Sequence, residues 1–351
     1  MMRATAAVSR VARWAWPLVL LAMAACRTAG TSPGTVEFRG PTMGATWSVK
    51  VVERDRVLDV AARRALHGDL RRELERIDAL MSTWKRDSEL SRFNETTSLA
   101  PVPLALETFE VLRWSAEVSA LTGGAFDVTL APLVEAWGFG ATEPGGAPTA
   151  ERIEALREAV GMRWLALDPV ARRVSKRRPD VRCDVSAIAP GYAADRLAAL
   201  LSRHGLEDFL VDVGGELVAR GHNDAGRRWQ VAVERPQVAG RSIARMVPLS
   251  GRAIATSGDY RKYREVNGER VTHLIDPRSG RPLRHRLASV TVVDDLAVRA
   301  DALATGLLVL GRDDGLALAE RLNLAVLFLE KGDGDGFEEH MSTAFRDLTE
   351  R

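Results

Sequence analysis

Apolar residues recur along this chain at both helical and strand spacings, interleaved without a regular strand–helix rhythm. Leu66, Leu70, Leu74, Ile77 and Leu80 share one face of a helix predicted over 58–81. A second helix is predicted over 106–121, with Gly123-Gly124 beyond it as a C-terminal cap pair. Further helices are expected over 150–160, 191–204 and 299–310. Residues 36–52 read as two strands joined across Gly40–Gly44. Apolar runs of strand length follow at 209–213, 216–221, 229–234, 246–249, 289–293 and 324–330. This interleaving implies an α+β fold, mixed or antiparallel sheets with packed helices, rather than a doubly wound parallel sheet. No linker or internal repeat divides residues 36–351, so one domain is expected there. No GxGxxG follows a strand and no GxxxxGK[ST] occurs, so the two best-known nucleotide folds lack support.

The first residues depart from this pattern. Arg3, Arg10 and Arg13 precede an unbroken apolar run from Trp14 to Ala25. Twelve helical residues rise about 18 Å, short of a bilayer core of about 30 Å. A basic start, a short apolar stretch and small residues before a cut describe a secretory signal over 1–25. Cys26 directly after Ala24-Ala25 resembles a bacterial lipobox, with Met23 where that motif prefers Leu. The expectation is an exported chain anchored at the inner membrane by a lipid on Cys26 and facing the periplasm. Gly, Pro, Ser and Thr dominate the next residues, and 26–35 reads as a flexible tether. The chain has only two cysteines, so a lipidated Cys26 leaves Cys183 without a disulfide partner.

Charge narrows the class. Forty-nine basic residues against 47 acidic ones leave a formal charge of +2 with no concentrated basic stretch, which argues against a nucleic-acid partner.

Three kinds of segment carry candidate chemistry. On a helix, Asp301 and Thr305 share a face four residues apart, and a carboxylate beside a hydroxyl suits Mg²⁺. The same Thr can instead bond back to the carbonyl of residue 301. The Gly-rich segments Thr122–Asp127, Gly214–Glu216 and Thr256–Tyr260 read as turns able to approach phosphate oxygens, or as ordinary turns. His273 followed by Asp276 offers a proton carrier and a carboxylate to orient it, or a plain Asp-Pro-Arg-Ser-Gly turn. Asp184 or Ser186 reads equally as the N-cap of the helix that follows.

The order of the segments adds what none supplies singly. Met43-Gly-Ala-Thr, Asp87–Asn94, Gly123–Asp127, Trp137–Gly140, Gly214–Glu216, Thr256–Tyr260, His273–Gly280 and Asp301–Thr305 resemble, in that order, the motifs of the ApbE family. The resemblance covers roughly 36–330 and makes 36–351 a flavin transferase domain. It implies an enzyme that, with Mg²⁺, moves FMN from FAD to a Thr or Ser hydroxyl of an exported or membrane-associated electron-transfer protein, releasing AMP. It places Met43 against the flavin, and Ala125, Phe126 and Asp127 in the FAD site, with Asp127 toward the adenosine or ribose part. Asp184, Thr256, Ser257 and Gly258 fall in the nucleotide pocket, with Leu274. The resemblance sets His273 beside the transferred phosphate as base or orienter, with Asp276 holding its imidazole. Asp301, Thr305 and the Ala187 carbonyl match the metal ligands. Two positions depart from the family: Pro190 stands where a Lys reaches the FAD, and Trp84 where Tyr is usual. Loss of that Lys calls for a compensating Arg nearby, or leaves weaker binding. It keeps two other readings open, an FAD-binding lipoprotein without transfer activity and an FAD pyrophosphatase giving FMN and AMP.

Overall fold

Eight strands form one sheet whose neighbours follow chain order: Gly34–Thr42, Ala45–Glu53, Phe209–Val213, Glu216–Arg220, Arg252–Gly258, Leu287–Asp294, Ala325–Lys331 and Phe337–Met341. Every neighbouring pair is antiparallel. This is a computed structural model, and it describes residues 34–54, 57–140, 146–236, 242–258, 263–266, 269–332 and 336–350. The expected signal peptide, Cys26 and nearly all of the tether lie outside those residues. Among the described residues, no helix is long and apolar enough to cross a membrane.

The sheet is covered on both faces. Helices Val60–Met81, Leu106–Leu121, Ala189–Arg203 and Ala297–Leu310 share a core with Val49, Val211, Ala253 and Val290 from one face. The hairpin Trp229–Glu234/Ile243–Leu249 and the helix Thr343–Thr349 bury Trp229, Val247 and Phe345 against Ala219, Ile254 and Leu327 from the other. Double coverage explains why Leu287–Asp294 is buried at every position, whereas Trp229–Glu234 alternates. The Ala297–Leu310 helix is apolar nearly all round because it runs through the centre of the helical layer. Of that helix's two charged residues, Arg299 is half-buried and pairs with Asp294, whereas Asp301 is buried.

Most sequence-predicted elements appear close to their expected bounds, including the cap pair: Gly123 and Gly124 have φ of 60° and 83°. Three differences matter. Thr256–Gly258 is the end of a strand rather than a turn, with Thr256 opposite Thr291 and Ser257 opposite Val290. Small polar residues sit in that strand because its end borders the cavity described below, not solvent. Asp259 and Tyr260 of the same motif lie outside the described residues. The helix expected from residue 191 starts at Ala189, with Ile188 as N-cap and Pro190 in its first turn, where a missing N–H costs nothing. Neither Asp184 nor Ser186 caps it. Asp184 instead accepts the Ser186 N–H at 2.9 Å and its hydroxyl at 2.5 Å.

Candidate active site

Between the helical layer and one end of the sheet's strands lies a cavity of about 920 Å³. Its first wall is a two-residue hairpin loop. Thr42 pairs with Ala45, and Met43 and Gly44 take φ of 45° and 72°. Both loop residues must be left-handed for such a turn to match the strand twist. Met43 pays no attention to the usual glycine preference there, at a cost of about 1 kcal/mol, and its side chain faces the cavity and the core.

The second wall follows the Leu106–Leu121 helix. The Gly124 N–H donates to the Ser119 carbonyl at 2.8 Å, turning the chain so that the Phe126 N–H meets the Thr122 hydroxyl at 3.1 Å. Ala125, Phe126 and Asp127 thereby reach the cavity. The Asp127 carboxylate is already heavily used. Oδ1 accepts the Thr129 N–H at 2.8 Å and its hydroxyl at 2.5 Å, and Oδ2 accepts the Met162 N–H at 2.9 Å. Of roughly four acceptor sites on a carboxylate, about one remains for a ligand. Burial pushes its carboxyl above the usual range.

The third wall runs from Asp184 to Pro190. The Asp184 N–H donates to the Val128 carbonyl at 2.7 Å, and the Asn94 amide grips both backbone groups of Cys183 at 2.8 and 2.7 Å. Asn94 of the Asp87–Asn94 segment and Val128, just past the Gly123–Asp127 one, thus hold this wall in place. Asp184, Ala187 and Pro190 all line the cavity.

Asp301 and Thr305 close it from the central helix. Asp301 is 5% exposed, and its Oδ2 accepts the Gly191 N–H at 3.0 Å. Burial, with a smaller contribution from the Asp195 carboxylate, raises its carboxyl from 3.8 to about 7. The Thr305 hydroxyl lies 2.7 Å from that of Ser257, so the two elements meet at the cavity through paired hydroxyls. Asp301, Thr305 and the Ala187 carbonyl offer oxygen donors of the kind a hard divalent cation takes.

His273 and Leu274 form the remaining side, with Phe139 edge-on to the imidazole at 6.3 Å between ring centres. The Trp137 indole N–H donates to the Gly280 carbonyl at 2.9 Å, tying the Trp137–Gly140 segment to the His273–Gly280 one. Trp84 stands on the rim, 67% exposed.

The structure thus gathers Met43, Trp84, Ala125, Phe126, Asp127, Asp184, Ala187, Pro190, Thr256, Ser257, Gly258, His273, Leu274, Asp301 and Thr305 around one cavity. Asp276 is the residue it places elsewhere. It is not among the lining residues, and its carboxylate accepts the Arg278 N–H at 2.8 Å and the Arg278 guanidinium at 2.9 and 3.0 Å. An Asp-Pro-Arg turn closes on itself in this way because the charge partner is two residues away.

Sequence reasoning passed over three lining groups: Asp78, Lys85 and Glu216. Glu216 lay inside a segment noted for its glycines, and Lys85 beside the noted Trp84. Asp78 had no signal beyond its place near the end of a helix. Among the described lining residues Lys85 is the only Lys or Arg, held by Asp78 at 2.6 Å. No described Arg borders the cavity to replace the cation missing at Pro190. Five carboxylates against one Lys make this a site that favours a cation before it favours an anion.

The model of the ApbE family matches residues 43–328. The chain belongs to the ApbE family. It is 40% identical over 328 residues to the FAD:protein FMN transferase of Vibrio cholerae serotype O1, covering 93% of this chain and 96% of that one. It is 38% identical over 310 residues to the FAD:protein FMN transferase of Escherichia coli K12, covering 88% and 87%. Among solved ApbE structures it is similar to the flavin transferase ApbE from Vibrio cholerae, with a TM-score of 0.82 at 39% identity, over 90% of this chain and 99% of that one. The apo flavinyl transferase ApbE of Pseudomonas stutzeri gives 0.81 at 39% identity, over 90% and 97%. The sheet order and the cavity are thus found in a chain whose ApbE relatives align with it almost end to end.

Proposed function

We propose that this chain is an FAD:protein FMN transferase that uses Mg²⁺ and delivers FMN to a Thr or Ser hydroxyl of a partner protein. The observation that carries the reading is the single cavity that unites a buried carboxylate, Asp301, with Thr305, the Asp184–Pro190 wall and His273. Membership of the family and the names of its relatives support FAD as the FMN source.

Met43, Phe126 and Trp84 offer apolar and aromatic surface for the ring systems of FAD. The donor set fits the metal: Asp301 faces the cavity as a carboxylate that burial makes reluctant to stay ionised alone, and a bound cation removes that penalty. Asp301, Thr305 and the Ala187 carbonyl would hold Mg²⁺. When bound, it polarises the pyrophosphate and offsets its charge. The acceptor hydroxyl then forms a bond to the FMN phosphorus as the bond to AMP breaks. His273 takes the hydroxyl proton, and AMP leaves with the electron pair. Asp276, bound to Arg278, is not assigned a part in that step. Pro190 supplies no charge to the phosphates, so Lys85 is the remaining described cationic side chain on the wall.

We further propose that the enzyme works outside the cytoplasmic membrane, held by a lipid on Cys26 and the tether after it. The support is the residue pattern of 1–26. Radiolabelled palmitate should enter the wild-type chain and not Cys26→Ser.

Incubating the chain with FAD, Mg²⁺ and a peptide carrying an acceptor Thr tests the main reading. Flavin fluorescence on the peptide together with AMP is the expected result, and Asp301→Ala should abolish both. Free FMN with AMP would point to a pyrophosphatase instead, and bound but unchanged FAD to a binding protein.

A further inference from the structure

Helices Ala189–Arg203 and Ala297–Leu310 both begin without a side-chain cap of their own. A helix start leaves several backbone N–H groups without intrahelical partners, and inside a core these need acceptors. Each helix finds them on the other. Asp195 Oδ1 accepts the Ala297 N–H and Oδ2 the Val298 N–H, both at 2.9 Å. In return Asp301 Oδ2 accepts the Gly191 N–H at 3.0 Å. The exchange is reciprocal in spacing too. Asp195 stands four residues after Gly191, and Asp301 four residues after Ala297. Glycine at 191 makes it possible, because a β-carbon there would lie 2.4 Å from the Ala297 carbonyl oxygen and 2.8 Å from Asp301 Cβ.

The two carboxylates have different surroundings. Asp301 faces the cavity, whereas Asp195 is not among its lining residues and touches the first turn of the other helix. We infer that Asp195 is a positioning residue: by holding the start of the Ala297–Leu310 helix at two amides, it fixes where Asp301 and Thr305 stand in the cavity. This deepens the reading of those two residues as cation donors and rests on it for its functional meaning. The mechanical part does not need a metal. If the Asp195 clasp opens, the first turn carrying Ala297 shifts away from Gly191. The Gly191–Asp301 bond should then report the shift.

The full-length chain with Asp195→Ala and Asp195→Asn tests this by hydrogen exchange and by titration with Mn²⁺ followed by electron paramagnetic resonance. In Asp195→Ala the amides of Ala297 and Val298 should lose protection, and the Gly191 amide, which does not touch Asp195, should lose it with them. Mn²⁺ should bind about tenfold or more weakly, as when a partner of a metal ligand is removed. FAD affinity without metal should stay near the wild-type value. Asp195→Asn keeps one oxygen acceptor and should recover part of both losses. Wild-type protection at Gly191 with wild-type Mn²⁺ affinity in Asp195→Ala would overturn the inference. So would a loss of protection spread evenly over sheet and helices, since Asp195 would then support the whole fold and not this register. If the wild type binds no Mn²⁺ but Gly191 still responds, the cation reading fails and the positioning role stands.

Discussion

Replacing Gly191 by Ala puts a methyl group where two helix backbones touch. Its β-carbon would meet the Ala297 carbonyl oxygen at 2.4 Å and the Ala297 carbonyl carbon at 2.8 Å. Both are main-chain atoms, so relief requires one helix to move by about 1 Å, and overpacking of this kind costs about 1–3 kcal/mol. The move also stretches the Gly191 N–H bond to Asp301, a bond to a carboxylate worth about 1.5–3 kcal/mol. Against this, Ala in place of Gly inside a helix gains about 1 kcal/mol. The balance is a loss of about 1.5–5 kcal/mol, which at about 2.1 cal/mol/K per residue is about 2–7 °C in Tm for a chain of 351 residues. Because Asp301 moves with the helix, FMN transfer should fall about a hundredfold, the usual penalty for a displacement of that order. Gly68→Ala is the control. It lies inside the Val60–Met81 helix, where the new carbon meets only the flexible Arg72 guanidinium at 3.2 Å. That variant should gain about 0.5–1 kcal/mol. Calorimetry and the transfer assay on both proteins decide. A Gly191→Ala chain that melts at or above the wild type, alongside a stabilised Gly68→Ala, would refute the close-approach argument.

Two further outcomes follow from the site. With its carboxyl raised from 3.8 to about 7, Asp301 favours the folded metal-free chain while protonated, so this contribution is full below pH about 4 and is lost as pH rises to about 7. In EDTA, the wild type should therefore lose a few kcal/mol relative to Asp301→Asn across that window, and Mg²⁺ should restore it at pH 7.5; parallel Tm–pH curves for the two proteins would exclude the shift. Pro190→Lys, at a helix position that does not require proline, should tighten FAD binding about tenfold through a charge-assisted phosphate contact and leave riboflavin binding unchanged. Equal effects on both ligands, measured by calorimetric titration, would mean that residue 190 does not face the phosphates.

How much of this was legible beforehand depended on which force shaped each segment. Helices 58–81 and 106–121 and the long apolar strands announced themselves through periodicity, because a single packed face sets their pattern. The short Glu89–Glu95, Ala131–Ala136 and Arg312–Arg321 helices, the small sheet of Val102–Pro103, Leu165–Asp168 and Arg173–Lys176, and the last strand and helix did not. They are held by caps and by neighbours rather than by their own spacing; Ser88, for instance, caps its helix through the Ser91 N–H. Thr256–Gly258 read as a turn because its residues are chosen for a cavity wall, which overrides strand composition. Almost all the candidate site residues converged on one cavity, yet their order, not their chemistry, had singled them out. Asp195 could not be seen in this way. Its importance lies in two amides more than a hundred positions away, and no local pattern records them.

The chain-order sheet has a consequence for how the protein acquires its fold. Strand Ala45–Glu53 turns back on its predecessor at once, but its other edge pairs with Phe209–Val213, about 160 residues later. Closing so long a loop costs about 2.5 kcal/mol more in chain entropy than closing one of ten residues. The first pairing is thus local, whereas the second spans helices Val60–Met81, Leu106–Leu121 and Ala189–Arg203 and cannot form before the chain beyond them exists. The wall that carries Met43 is therefore joined to the rest of the cavity by a long-range pairing, and its placement depends on residues about 160 positions away.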